Sequence, residues 1–250
     1  MATTLLLILL SVFIVSLISF VSAITLFTHK KLDEILNYLV CFAAGGLLGA
    51  AFLDLLPEAS KFPHDNVFLL ALAGLLAFFL VELYFHWHHH HAHIKGENKH
   101  MHAVGYLNLI GDGVHNFIDG MIIAASFLVS TPLGIVTTIA VIAHEIPQEI
   151  GDFGILVYSG FSKGKALLFN FLTALTAVAG ALLAYFASNL MQNFIYLLIP
   201  FAAGSFIYIA AADLLPEIHK HRGNKIESLG QIALLFSGII LIWGIGKVFA

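Results

Sequence analysis

Charge is what this sequence most lacks. Of its 250 residues, 10% are Asp, Glu, Lys or Arg, against roughly 25% in an average soluble domain. With 60% hydrophobic residues and a mean hydropathy of +0.95, a water-soluble globular domain is excluded. Cysteine is almost absent: Cys41 stands alone in an apolar stretch, which excludes an intrachain disulfide or a cysteine metal cage and leaves it a small packing residue. No lysine or arginine precedes Lys30, so the first apolar stretch has no signal-peptide n-region, is too long for an h-region and reads as a mature helix. Polar and apolar residues do not alternate, which excludes a membrane β-barrel. No ATP-binding motif is present. The net charge of −4 and pI of 6.4 leave partners open, and nothing points to nucleic acid.

What is present is apolar length. A helix crossing a bilayer takes about 20 mostly apolar residues, and eight such stretches are legible, near 3–28, 35–57, 66–86, 103–129, 133–159, 165–187, 194–215 and 228–248. The expected fold is an all-α integral membrane protein of eight transmembrane helices, with residues 1–250 forming one transmembrane domain. Basic residues set its orientation. Lys30, Lys31, Lys95, Lys99, Lys163, Lys165, Lys220, Arg222 and Lys225 fall on one side of the bilayer and only Lys61 and Lys247 on the other. The positive-inside rule places the first set in the cytoplasm and both termini outside it. Compact loops without targeting extensions point to a prokaryotic inner membrane.

The chain also repeats. FAAGGLLGAAFLDLLPEA (Phe42 to Ala59) and FAAGSFIYIAAADLLPEI (Phe201 to Ile218) agree at ten of eighteen positions at an offset of 159 residues. Five helices separate the ends of the copies, so one copy leaves the cytoplasm while the other enters it. The expected arrangement is 3+2+3, with helices one to three and six to eight as inverted repeats around a central pair, an architecture of transporters.

That central pair carries the ionisable residues. On helix four, Asp112, His115, Asn116 and Asp119 stand at i, i+3, i+4 and i+7, which is one helical face. On helix five, His144 and Gln148 are a turn apart, as are Glu145 and Glu149, with Asp152 further along. Ionisable groups in hydrocarbon are costly and mark functional sites. Imidazole and carboxylate without thiolate suit zinc, iron(II) or manganese. Pro147 removes the partner of the Ala143 carbonyl, and Gly111, Gly113, Gly120, Gly151 and Gly154 are expected to permit close helix approach. A zinc hydrolase would need H-E-x-x-H, whereas helix five reads H-E-I-P-Q, so an enzyme is not expected.

The motifs H-N-F-I-D-G (His115 to Gly120) and H-E-I-P-Q-E-I-G-D-F (His144 to Phe153), with the eight-helix layout, resemble the ZIP (Zrt/Irt-like) metal transporters over nearly the whole chain, especially the subfamily whose fifth helix reads H-E-x-P-H-E-x-G-D. The resemblance implies that His115, Asp119, His144 and Gln148 form the principal metal site, with Asn116 and Glu145 lining an adjoining one. Glu149 and Asp152 become pathway or supporting groups. It further implies a divalent cation, zinc foremost, as cargo without any cofactor, import toward the cytoplasm, elevator-like motion and a homodimer. Gln148 stands where relatives carry His or Glu, and helix six (TALTAVAGALLA, Thr173 to Ala184) has no acid, which favours one metal over two. Spacing alone does not set direction, so an exporter or a membrane metal sensor satisfies the same residues.

Two features lie outside the helical core. The segment from His86 to His102 holds eight of fourteen histidines, including His88, His89, His90, His91 and His93. Such tracts bind metal by imidazole density, and this one is expected to be a cytoplasmic loop. The D-L-L-P-E copies place Asp54 near the outer mouth and Asp213 near the inner one, where acids either attract cations or simply end helices in water. The resemblance favours Asp54 as an entrance group.

Overall fold

Backbone amides in hydrocarbon must be satisfied within the chain, and continuously apolar segments achieve this as helices. The computed structural model describes the backbone of residues 2–25, 32–63, 66–92, 97–190, 194–220 and 225–249, and among these it contains helices and no strand. They run in eight rods. These are α1 (Ala2–Thr25), α2 (Leu32–Gly49, continued by Ala50–Leu55 and Leu56–Ala59), α3 (Val67–Ala92) and α4 (Glu97–Val129). There follow α5 (Thr131–Tyr158), α6 (Lys163–Ala174, then Thr176–Leu190), α7 (Phe194–Tyr208, Ile209–Leu214, Leu215–Lys220) and α8 (Lys225–Phe249).

Among the described residues, four segments are long and apolar enough to cross a membrane: Tyr38–Ala59, Lys163–Ser188, Phe194–Leu214 and Glu227–Val248. Shorter apolar runs occupy Thr3–Ile18 and Val67–Leu83. Rods α4 and α5 are absent from the apolar set because their buried acids and histidines interrupt it. Large apolar side chains such as Phe68, Leu80, Phe186, Leu229 and Ile240 are exposed around the outside, as lipid contact requires.

Glycines fix how the rods pair. A methyl added at Gly45 on α2 would lie 1.9 Å from the Leu235 carbonyl oxygen on α8, and one at Gly238 would lie 2.3 Å from that of Phe42. Rods α7 and α3 meet the same way, with Gly204 at 1.8 Å from the Ala71 oxygen and Gly74 at 2.0 Å from the Phe201 oxygen. Gly204 and Phe201 each lie 159 residues after Gly45 and Phe42. Rod α4 is seated on α6 through Gly120 against Ala177 and Gly180 against Phe117. Rod α5 packs on α1, α4 and α2, and Ser16 Oγ of α1 reaches the Ala174 oxygen of α6 at 2.8 Å. Thus α1, α4, α5 and α6 pack together, while α2 pairs with α8 and α3 with α7.

Both repeat copies contain a π-helical turn, Ala50–Leu55 in α2 and Ile209–Leu214 in α7, again 159 residues apart. Each precedes the proline of D-L-L-P-E. A proline ring clashes with the carbonyl four residues back, and the wider turn relieves that contact. Gly151 and Gly154 correct the expectation of close approach, since nothing lies within 4 Å of a methyl placed on either, and Gly113 meets only ordinary contacts. The histidine tract also differs from an irregular loop: helical backbone runs through residues 86–92 and resumes at Glu97. The side chains of His88, His89, His90 and His91, and all of His93, lie outside the described residues.

Candidate metal site

The face of α4 predicted from its spacing meets α5 where the two rods cross. His115 Nε2 lies 3.2 Å from His144 Nε2, 3.4 Å from Glu145 Oε1 and 3.7 Å from Asp119 Oδ2. His144 Nε2 lies 3.1 Å from Asp119 Oδ2 and 3.6 Å from Glu145 Oε1. All four ligand atoms fall within 4.8 Å of one another. Zinc bonds of about 2.0–2.1 Å to nitrogen and oxygen in a tetrahedron separate ligand atoms by about 3.3 Å, close to the 3.1–3.7 Å by which the two imidazole nitrogens stand from each other and from the carboxylates. His144, Glu145 and Asp119 are fully buried, while the His115 side chain is 13% exposed.

Local bonds aim these groups. The Nδ1–H of His144 donates to the Ala140 carbonyl at 3.1 Å, because a carbonyl can only accept. That leaves the Nε2 lone pair directed into the cluster, the usual arrangement for a ligating imidazole. Phe78 meets the edge of the His115 ring and Phe206 that of His144, with centroids 5.7 and 6.1 Å apart. These rings wall the cluster with apolar surface.

His115 also lines a cavity of about 910 Å³. Its walls come mainly from the C-terminal halves of α3, α5 and α7 and from the N-terminal half and middle of α4, with Val40 of α2, and include Glu82, Asp112, Gln148, Asp152, Tyr208 and Asp213. These half-rods lead to the side bearing Lys163 and Lys165. Beyond the cluster in the other direction, Ile122, Val136, Ala140 and Ala203 form closed apolar core. The cluster therefore borders the cavity through His115, with buried apolar core beside it.

The remaining predicted residues fall around it. Gln148 lines the cavity beside His115. Asn116 is fully buried and donates its amide to Asp112 Oδ1 at 2.7 Å. Asp152 accepts from Asn108 at 3.0 Å. Glu149 is buried and bound by the Asn170 side chain of α6, whose amide also reaches the Glu149 carbonyl at 3.3 Å. Asp54 lies at the opposite end of the molecule, in a separate cavity of about 500 Å³ with Glu58, Lys61, Ser130 and Lys247. There, Lys61 pairs with Glu58 at 2.6 Å. Asn108, Asn170 and the Tyr208–Glu82 hydrogen bond were not anticipated. Asn108, four residues before Asp112, continues the polar stripe of α4 and could have been read from it.

Comparison with known proteins identifies the family. The ZIP zinc transporter family model matches residues 2–104 and 88–246. Zinc transporter ZIP13 of Pongo abelii is 35% identical over 223 residues, covering 83% of this chain and 66% of that protein. Zinc transporter zipt-7.2 of Caenorhabditis elegans is 33% identical over 270 residues, covering 84% and 58%. Zinc transporter ZIP13 of Mus musculus is 32% identical over 249 residues, covering 83% and 69%. The chain thus spans somewhat under two thirds of the first two relatives, and all three are animal proteins, which lends no support to the expected prokaryotic membrane. On these matches the chain belongs to the ZIP zinc transporter family, whose members are integral membrane transporters and not enzymes.

Proposed function

We propose that this protein carries zinc or a related divalent cation across a membrane toward the cytoplasm, with the ion held between α4 and α5. One observation carries the reading: two imidazoles and two carboxylates, three of the four fully buried, gather within 4.8 Å of one another, and His115 among them lines a cavity. A structural zinc site would be sealed on all sides, whereas an ion here has a way out. His115, Asp119, His144 and Glu145 are the ligands, and Gln148 contributes its amide oxygen from the cavity wall. Asp54 attracts cations at the opposite mouth. Glu149, tied to Asn170, supports the site from behind. The histidine tract receives ions on the cytoplasmic side, and the termini lie on the other.

The pairing of α2 with α8 and of α3 with α7 through glycines at one fixed offset supports an inverted repeat and a 3+2+3 plan. The mutual packing of α1, α4, α5 and α6 supports their motion as one body past α2, α3, α7 and α8, with the static rods available for a homodimer. The test is uptake into proteoliposomes of zinc, cadmium, iron(II) and manganese. Uptake is expected to vanish in His115→Ala, and normal uptake by that variant overturns the assignment.

A further inference from the structure

The smaller cavity, at the other end of the molecule from His115, holds opposite charges that do not meet. It measures about 500 Å³ and lies where the end of α2, the start of α5 and the end of α8 converge. Asp54 lines it from α2. Its Oδ2 is buried and accepts no hydrogen bond, while its Oδ1 stands so near α8 that a methyl on Gly246 would lie 2.7 Å away. A buried acceptor without a donor costs about 1–3 kcal/mol, and more when charged. Two lysines share the cavity. Lys61 is held by Glu58 at 2.6 Å, whereas Lys247, exposed and next to Gly246, pairs with no acid among the described residues. Between the charges the wall is apolar, with Pro57, Pro132 and Leu133. Leu53 and Trp243 also line it and are 43% and 53% exposed, so this wall continues onto the surface that faces lipid. Ser130 caps the start of α5 and Lys61 follows the end of α2, which puts the cavity at the level of lipid headgroups, where tryptophan is also favoured.

We propose that this cavity binds the headgroup of an aminophospholipid, with the primary ammonium on Asp54, the phosphate on Lys247 and the acyl chains leaving past Leu53 and Trp243. An unpaired acid and an unpaired base in one cavity fit a ligand that carries both charges. A primary ammonium has three N–H donors, and one of them gives Asp54 Oδ2 the charge-assisted hydrogen bond it lacks. A choline headgroup bears the same charges without an N–H, and a glycerol headgroup has no cation, so neither satisfies both residues. Gly246 matters because any side chain there would crowd the carboxylate. Since α5 belongs to one packed group of rods and α2 and α8 to the other, a bound headgroup ties the two groups together at this end. One carboxylate cannot hold an ammonium and an entering metal ion at once, so on the reading of Asp54 as an entrance group the lipid and the cargo compete.

The test uses purified full-length protein in nanodiscs of phosphatidylcholine alone, or of phosphatidylcholine mixed with phosphatidylethanolamine or with phosphatidylglycerol. Native mass spectrometry reads which lipid stays bound, and thermal unfolding reads the stabilisation that a ligand of the folded state confers. The wild type is expected to retain phosphatidylethanolamine in preference to the other two, and its unfolding midpoint should rise with that lipid alone. Asp54→Asn and Lys247→Gln should each lose the preference and the rise, while a cooperative transition in phosphatidylcholine reports that they remain folded. Lys247 is exposed, so Lys247→Gln decides the matter even if Asp54→Asn fails to fold. Equal retention of the three lipids by the wild type, or a preference that survives in Lys247→Gln, overturns the site. A midpoint raised as far by soluble phosphoethanolamine at matched concentration overturns the lipid as its source. None of these readouts measures uptake, so failure here is distinct from failure of the transport reading.

Discussion

At Gln148 the chain places an amide on the cavity wall beside His115, a weaker metal ligand than an imidazole. An imidazole there would offer a neutral nitrogen to the same ion at pH 7, so Gln148→His is expected to tighten zinc binding and slow its release. Calorimetry and single-turnover efflux check this, and unchanged affinity would remove Gln148 from the ligand set. Asn170 makes a contrasting case. Its amide holds the fully buried Glu149 from α6, so Asn170→Ala leaves a buried carboxylate without that donor. A loss of about 1–3 kcal/mol in stability is expected, read as a lower unfolding midpoint in detergent, with zinc affinity of the cluster retained. The α4 stripe was legible because Asp112, His115, Asn116 and Asp119 recur with the helical period. Asn170 was not, because one amide within ALLFNFLTA makes no pattern and its partner lies 21 residues away on another rod.

Between elements, the decisive residues are those whose missing side chain lets backbones touch. A methyl at Gly120 would sit 1.9 Å from the Ala177 carbonyl oxygen, and neither backbone can yield without separating α4 from α6. Gly120→Ala is expected to cost at least the 1–3 kcal/mol typical of overpacking, to about that order, and to abolish zinc binding by shifting Asp119 next to it. Gly154→Ala, with nothing within 4 Å, should be neutral or stabilising by up to about 1 kcal/mol. Thermal unfolding of both variants in one detergent checks the contrast, and equal midpoints would contradict the seating of α4 on α6. Sequence alone did not separate these two glycines, since both flank motif residues and only the neighbouring rod tells them apart. The repeat was visible as letters, F-A-A-G and D-L-L-P-E. Its π turns were not, because an extra residue per turn leaves no mark on composition beyond the proline that follows.

For the molecule as a whole, the basic residues predict which ends of the rods face the cytoplasm, but no sequence pattern marks the side on which the cavity lies. The structure opens toward the ends of α3, α5 and α7 and the start of α4, with Ile155 on the cavity wall. Leu53 lines the separate cavity at the opposite end. Cys41 is the chain's one cysteine and is fully buried, so the natural protein offers a low background for thiol labelling. A charged, membrane-impermeant thiol reagent is therefore expected to modify Ile155→Cys only from the side that carries Lys163 and Lys165, and Leu53→Cys only from the other. Labelling in right-side-out cells and in inverted vesicles measures each. If the positive-inside orientation holds, Ile155→Cys reacts in inverted vesicles alone. Reaction in intact cells alone would reverse the orientation and, with it, the direction in which this open state releases its ion. Reaction from both sides at comparable rates would mean that the protein alternates between two openings without cargo, the empty return step that net import by a moving carrier requires.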